Sequence, residues 1–261
     1  MLSSSRQPIE RAGPEPVIAR LTRLAPLTAP DIALLRRLND WRHDPPDAQL
    51  IRQGQRTSPR FLVSGWAARI RLLADGRRQI IGFVLPGDGL GFWRRPQPMA
   101  TCAVVALTPV QTLDAGPVLE GLASPPDRAT LARAIDIAAG MDEAWLMDQI
   151  VRLGRLTAYE RLSHLILELR CRLAAVGHAD DVGGLCFPPT QEDLGDATGL
   201  SMVHVNRTLR HLREDGMIGL HNGRLTIHNA PALAAISGFR PPRPSEWVDP
   251  LAEARAQPAA G

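Results

Sequence analysis

The chain has no lysine, and all 30 of its basic side chains are arginine. That excludes a Schiff-base nucleophile and a P-loop lysine, and with them most nucleotide-hydrolysing motifs. Cysteine is nearly as scarce: Cys102, Cys171 and Cys186 stand far apart, and no Cys-x-x-Cys occurs. An odd, scattered set does not build a disulfide framework and fits a reducing cytoplasm. An iron–sulfur cluster needs about four cysteine ligands, more than the chain holds. No histidine lies between His43 and His164, which leaves that span without ligands for haem or for a cupin-type metal. No apolar run reaches the roughly 20 residues of a membrane-crossing helix. The first residues do not read as a signal peptide. The absences together predict a cytoplasmic protein with no membrane association and no metal.

The 261 residues are 44% hydrophobic, enough for one large or two small domains, and the net charge of +3 is small. The charge is uneven along the chain, and a basic segment free of acids lies within the stretch from Phe187 to Asn229. There Thr190 follows two prolines and precedes Asp193, a loose capping box that opens a short helix. Gly199 ends that helix, because the turn favours a residue tolerant of positive φ. Ser201 caps the next one. On it Val205, Leu209 and Leu212 make a core stripe, while His204, Asn206, Arg207, Arg210, His211 and Arg213 face outward. No acid occurs between Ser201 and Arg213. Met217 to Leu220 and Arg224 to His228 read as strands around His221-Asn222-Gly223, a hairpin signal. A short helix, a tight turn, a basic helix and a β-wing predict a helix-turn-helix that reads the major groove of DNA.

The rest of the chain is ordered around this module. Residues 1–20 are expected to form a flexible leader, and residues 28–42 a short helix with Ile32, Leu35 and Leu38 on one face. From Ala48 to Val118 short strands alternate with Gly and Pro turns, including Asp75-Gly76 and Pro86-Gly87-Asp88, which predicts an antiparallel barrel or roll. Residues 127–153 form a long helix, about 40 Å at 1.5 Å per residue. It carries two apolar faces, one through Leu131, Ile135, Ala138 and Trp145, the other through Ala134, Ile137, Ala144 and Val151. Residues 154–157 are the expected hinge, residues 177–187 a loop, and the chain from Gly238 a flexible tail anchored at Trp247.

The segments GLSMVHVNRTLRHLREDGMI, GRLTAYERLSHLILELRCRL (154–173) and GRRQIIGFVLPGDGLG (76–91) resemble the Crp/Fnr superfamily of bacterial transcription regulators, over roughly residues 45 to 237. The resemblance implies an α+β chain: an N-terminal antiparallel β-roll of the cyclic-nucleotide-binding type (21–125), a long dimerisation helix and hinge (126–154), a C-terminal winged helix-turn-helix (155–237) and a flexible tail (238–261). It implies a homodimeric regulator that reads a palindromic site, not an enzyme. The expected partners are double-stranded DNA, a second copy, RNA polymerase and an unidentified small-molecule effector. By resemblance Arg207 stands where the family reads guanine, and a guanidinium matches guanine O6 and N7. Asn206 suits adenine or a phosphate. Met202 and Val203 depart from the family: Val203 replaces a glutamate, and an apolar side chain suits a thymine methyl instead. Thr190, Gln191, Ser201, Arg210 and the wing residue Arg224 are candidates for phosphate contacts. His204 and His211 either touch DNA or sit solvated.

The family's cyclic-nucleotide cassette is a Gly-Glu pair followed by Arg-Ser/Thr-Ala. Here Gly89-Leu90 or Gly91-Phe92 stands at the first place and Ala100-Thr101-Cys102 at the second. A buried phosphate needs a cation, so no cyclic nucleotide is expected, and no haem or iron–sulfur cofactor either. Arg94 and Arg95 read as a solvated pair, and Cys102 as a small buried hydrophobe, with redox sensing a secondary reading. His164 has no ligand partner nearby in sequence. Trp66 and Trp93 read as core. Two alternatives remain: a ligand-independent regulator with a scaffold roll, and a small-molecule-binding or catalytic barrel.

Overall fold

The structure, a computed structural model, describes residues 13–92, 99–122, 128–179 and 184–243. The Arg94–Arg95 pair, Trp93 and Trp247 lie outside these residues, as do residues 1–12 of the leader and 244–261 of the tail.

Helix α1 (Glu15–Leu24) comes first and corrects the expected leader: Val17 and Leu21, one turn apart, are buried against the roll. Pro16 at its start and the apolar i, i+4 pair favour a helix that polar flanking residues concealed. Helix α2 (Ala29–Arg37) follows, with Thr28 and Asp31 in a capping box. The roll consists of β1 (Trp41–Asp44), β2 (Gln49–Ile51), β3 (Arg60–Ser64), β4 (Ala67–Leu72), β5 (Arg78–Val84), β6 (Gly89–Leu90), β7 (Ala103–Ala106) and β8 (Val110–Asp114). It starts earlier than expected, because β1 pairs antiparallel with β8. Two four-stranded sheets result, ordered β1-β8-β3-β6 and β2-β7-β4-β5. Ile51, Leu62, Val84, Val104 and Val110 fill the space between them.

A short α3 (Gly116–Leu122) leads to the long α4 (Ala129–Arg155) and then α5 (Ala158–Ala174). Gly154 is helical, so the break is narrower than the expected hinge. It falls at Leu156 and Thr157, both extended, where Thr157 and Glu160 form a capping box that starts α5. The remaining elements are β9 (Gly184–Cys186), α6 (Gln191–Thr198), α7 (Met202–Glu214), β10 (Ile218–His221), β11 (Arg224–Ile227) and α8 (Ala230–Ser237). Residues 184–186, expected as loop, are a third wing strand: β9 pairs with β11 in the order β10-β11-β9. Three residues carry too little pattern to announce a strand, and only the partner defines it. The expected wing turn is present, with Asn222 and Gly223 both at positive φ.

The outer face of one roll sheet packs on α1, α2 and α4 through Leu35, Phe61, Leu113 and Leu131. The other sheet shares a core with the winged helix. Trp66 lies edge-on to Phe83 at 6.0 Å and to Phe187 at 6.2 Å, and Ile80, Leu165, Leu194 and Leu209 belong to the same cluster. Beyond Gly238, Phe239 stacks on Trp145 and meets His164 edge-on, so the described start of the tail is anchored two residues past α8. No helix among the described residues is long and apolar enough to cross a membrane.

Candidate nucleic-acid interface

Helices α6 and α7 meet through a turn whose closeness depends on glycine twice. Gly199 ends α6 in the left-handed region at φ 67°. Gly195, inside α6, lies under the turn: a Cβ there would come 2.6 Å from the Leu200 carbonyl oxygen. Gly199 is legible in the sequence as a helix end, whereas Gly195 is not, because its role depends on this contact. Ser201 accepts the backbone N–H of His204 at 3.3 Å and so caps α7. Val205, Thr208, Leu209 and Leu212 are buried, which turns the opposite face outward.

All eleven sequence-predicted residues are exposed: Thr190, Gln191, Ser201, Met202, Val203, His204, Asn206, Arg207, Arg210, His211 and Arg224. Ten lie on the helix-turn-helix, and Arg224 opens β11 of the wing. Asn206 Nδ2 donates to Gln191 Oε1 at 3.2 Å and ties α7 to the start of α6. Thr190 is less free than its sequence role implied, since its hydroxyl donates to Asp193 Oδ2 at 2.7 Å. Ser201 Oγ and His204 Nδ1 are 3.1 Å apart. Arg210 approaches Glu214 at 3.6 Å on the solvent side. At the far end Tyr159 donates to Asp215 at 2.8 Å, bracing α5 against the C-terminus of α7. Burial and the Asp215 carboxylate push its phenol up to about 12.

The last carbonyls of α6 have no partner within the helix, and the surroundings supply one for each. Gln79 of the roll donates to Asp196 O at 2.5 Å, Gln149 of α4 to Ala197 O at 2.7 Å, and Arg161 of α5 to Thr198 O at 2.9 Å. Arg78 of β5 pairs with Asp193 at 2.8 Å and with Asp196. The reading module is thus seated on the roll and on the long helix together. Sequence reasoning missed this seat, because its partners lie more than 40 residues apart in every case but one.

Beside the seat, between the roll and α4, is a cavity of about 730 Å³, with Arg69, Phe83, Phe92, Thr101, Asp142 and Trp145 among its walls. Ala100, where the resemblance places the phosphate-binding arginine, is apolar and buried. The neighbouring Cys102 is buried too, and burial pushes its thiol up. These residues do not fit a cyclic phosphate at that place. Four cations near the cavity are already paired with carboxylates, while a fifth, Arg71, donates to Thr101 O at 3.2 Å. Arg69 donates to Asp142 at 2.9 Å, and Arg20 holds both Asp142 and Asp88. Arg172 joins Asp88 at 2.6 Å to Glu168 at 3.0 Å, and Glu168 also holds Arg152. Burial lowers Arg20 to about 10, with Asp142 opposing. At Glu168 burial works against the charge, but Arg152 and Arg172 outweigh it and hold the carboxyl below its usual range. This chain of charges links α1, the roll, α4 and α5.

His164 faces the same network, with Nδ1 3.1 Å from Arg152 Nη2. Burial and the Arg152 cation lower it to about 4, against the weaker pull of Glu168. The unfolded chain therefore binds a proton between about pH 6.5 and 4 that the folded chain refuses. Stability from this residue is present above pH 6.5 and is lost as pH falls toward 4. Urea midpoints measured across that window should decline in the native chain, with a shallower slope in His164→Gln.

Residues 160–236 match the Crp-like helix-turn-helix domain family. The chain is 33% identical over 179 residues to the nitrogen fixation regulation protein FixK of Bradyrhizobium diazoefficiens, covering 67% of this chain and 72% of that one. It is 31% identical over 177 residues to the transcriptional activatory protein AadR of Rhodopseudomonas palustris, covering 68% and 72%. Among solved structures, FixK2 from Bradyrhizobium japonicum superposes with a TM-score of 0.65 at 26% identity, over 75% of this chain and 96% of that one.

Proposed function

The chain belongs to the Crp/Fnr family of DNA-binding transcription regulators, and from that premise we propose that it acts as a cytoplasmic homodimer reading a palindromic site, with the roll receiving the signal. The observation that carries the reading is α7, whose open face is exposed, basic and free of acids between Ser201 and Arg213. Arg207, with no partner among the described residues, reads guanine through its fork of donors. Gln191, Arg210 and Arg224 hold phosphates and set the register, while the hydroxyls of Thr190 and Ser201 serve mainly their caps. No metal, haem or cyclic nucleotide belongs to this reading, nor does an enzymatic reaction.

Dimerisation rests on α4. The expected second apolar face included Ala134 and Ile137, but both are buried within the chain. The exposed apolar residues are Leu146, Met147, Ile150 and Val151, in the C-terminal half of the helix. A second copy covers them, because two half-sites about 34–36 Å apart require two recognition helices. Replacing Ile150 with Glu should give a monomer by analytical ultracentrifugation and abolish binding to a two-half-site operator.

The signal acts by shifting populations between placements of the two α7 helices. The cavity borders α4 and the elements that seat α6, so an occupant there would bias both. RNA polymerase is a further partner where the protein activates. A second reading, a roll that serves only as scaffold, is favoured by one observation: Arg20, Arg69, Arg152 and Arg172 are already neutralised by protein carboxylates.

Selection from a random duplex pool by the ligand-free protein, at near-physiological salt, tests these readings. A palindrome with half-sites one turn apart would support dimeric readout and, selected without an effector, would favour the scaffold reading. Weak binding that acquires a motif only with an added effector would favour the sensor. Binding that never acquires a motif, or turnover of a small molecule without DNA binding, would overturn the proposal.

A further inference from the structure

The first turn of α7 differs in chemistry from the rest of its open face. Met202 and Val203 are 58% and 76% exposed, and Val203 is the most exposed large hydrophobic side chain among the described residues. Neither belongs to the core stripe, which begins at Val205. Both stand at the end of a recognition helix that meets base edges, and Val203 lies one helical turn before Arg207, on the same face.

The neighbouring groups narrow what this turn can read. No carboxylate stands on α7 between Ser201 and Arg213 to accept from a cytosine amino group. Ser201 Oγ and His204 Nδ1 engage each other, and Asn206 is turned toward Gln191. What remains at the front of the helix is the apolar surface of Met202 and Val203, and of the two Val203 is the more exposed and the one that shares a face with Arg207. In the major groove the apolar feature of a base edge is the C5-methyl of a pyrimidine.

We propose that Val203 is a specificity-determining residue that reads a pyrimidine C5-methyl in the same half-site as the guanine held by Arg207. The inference rests on the DNA-reading role proposed above and names the chemistry of one further base. Thymine and 5-methylcytosine both present this methyl. In the free protein Val203 stands in water. On the operator its methyls and the base methyl leave water together, and that burial is the source of the preference.

The test uses the full chain and the operator selected above. Each thymine of a half-site is replaced in turn by deoxyuridine, which removes the methyl and leaves the hydrogen-bonding edge intact. At one position binding should weaken about fourfold per methyl, and about fifteenfold when both half-sites are changed. At that position 5-methylcytosine should likewise bind better than cytosine, and the tighter of thymine and 5-methylcytosine identifies the natural source. Val203→Ala should bring thymine and uracil close to equal while keeping the guanine preference. Because Val203 is exposed, its thermal midpoint should stay unchanged. A selected operator that shows no methyl discrimination at any position, or a Val203→Ala variant that keeps it, overturns this inference and leaves DNA reading intact. Failure to select any operator, with or without an added effector, overturns the DNA-reading proposal and this one with it.

Discussion

Truncation of Glu168 to alanine should cost the fold about 3–5 kcal/mol, the range for a buried ion pair that loses one partner. Glu168 is 4% exposed and holds Arg152 and Arg172, which are 2% and 8% exposed. Removing the carboxylate leaves two guanidiniums in a low-dielectric interior, with Asp88 still serving one of them. Loss of the attraction is the smaller part of the cost; the uncompensated desolvation of Arg152 dominates. The exposed pair Arg210–Glu214 supplies the contrast. Glu214→Ala should change stability by no more than about 0.5 kcal/mol, because water screens that pair and the side chains lose entropy to form it. Urea denaturation of both variants measures the difference. A Glu168→Ala midpoint equal to that of Glu214→Ala would show that the network carries no net stability. Because Glu168 lies on α5 while Arg152 lies on α4 and Asp88 in the roll, the lost stability should appear as loosened seating of the winged helix, with faster amide exchange in α6.

Arg207→Ala should weaken binding to the selected operator by about 1–3 kcal/mol per half-site, or about 2–6 kcal/mol for the dimer. The loss should fall on specific DNA and leave a scrambled duplex nearly unaffected, because a base-edge contact carries sequence information and a phosphate contact does not. Arg207→Lys sharpens the argument. It keeps the charge and the salt slope, but a point ammonium lacks the planar fork that matches O6 and N7, so specificity at one base pair should still relax. Arg210→Ala should behave in the opposite way, with weaker binding to every sequence and a shallower salt dependence, by about one unit of slope per phosphate lost. Titration of the four proteins against both duplexes at several salt concentrations separates these effects. Equal losses on operator and scrambled DNA for Arg207→Ala would remove it from direct readout.

The sequence by itself determined what depends on a few adjacent residues. Gly199 and Ser201 mark the turn and the cap because left-handed backbone and side-chain capping are local properties. Asn222-Gly223 marks the wing for the same reason. The stripe Val205, Leu209 and Leu212 announces the recognition helix by its period, and the exposure of the seven candidate residues on α7 follows from it. The short strands of the roll were legible from alternation and turns, and the family from three motifs taken together. Tertiary structure decided everything whose partner is remote. β9 exists because β11 runs beside it, and α1 is a buried helix because the roll gives Val17 and Leu21 a surface to cover. On α4 it left Leu146, Met147, Ile150 and Val151 exposed, whereas the face that periodicity favours shares only Val151 with them. The seat of α6 and the network from Arg69 to Arg152 join residues up to 122 positions apart. Such pairs leave no local signature, because an arginine looks the same in sequence whether it meets water, DNA or a buried carboxylate. Only the folded chain settles that, by fixing which charges lose their water and which partner must replace it.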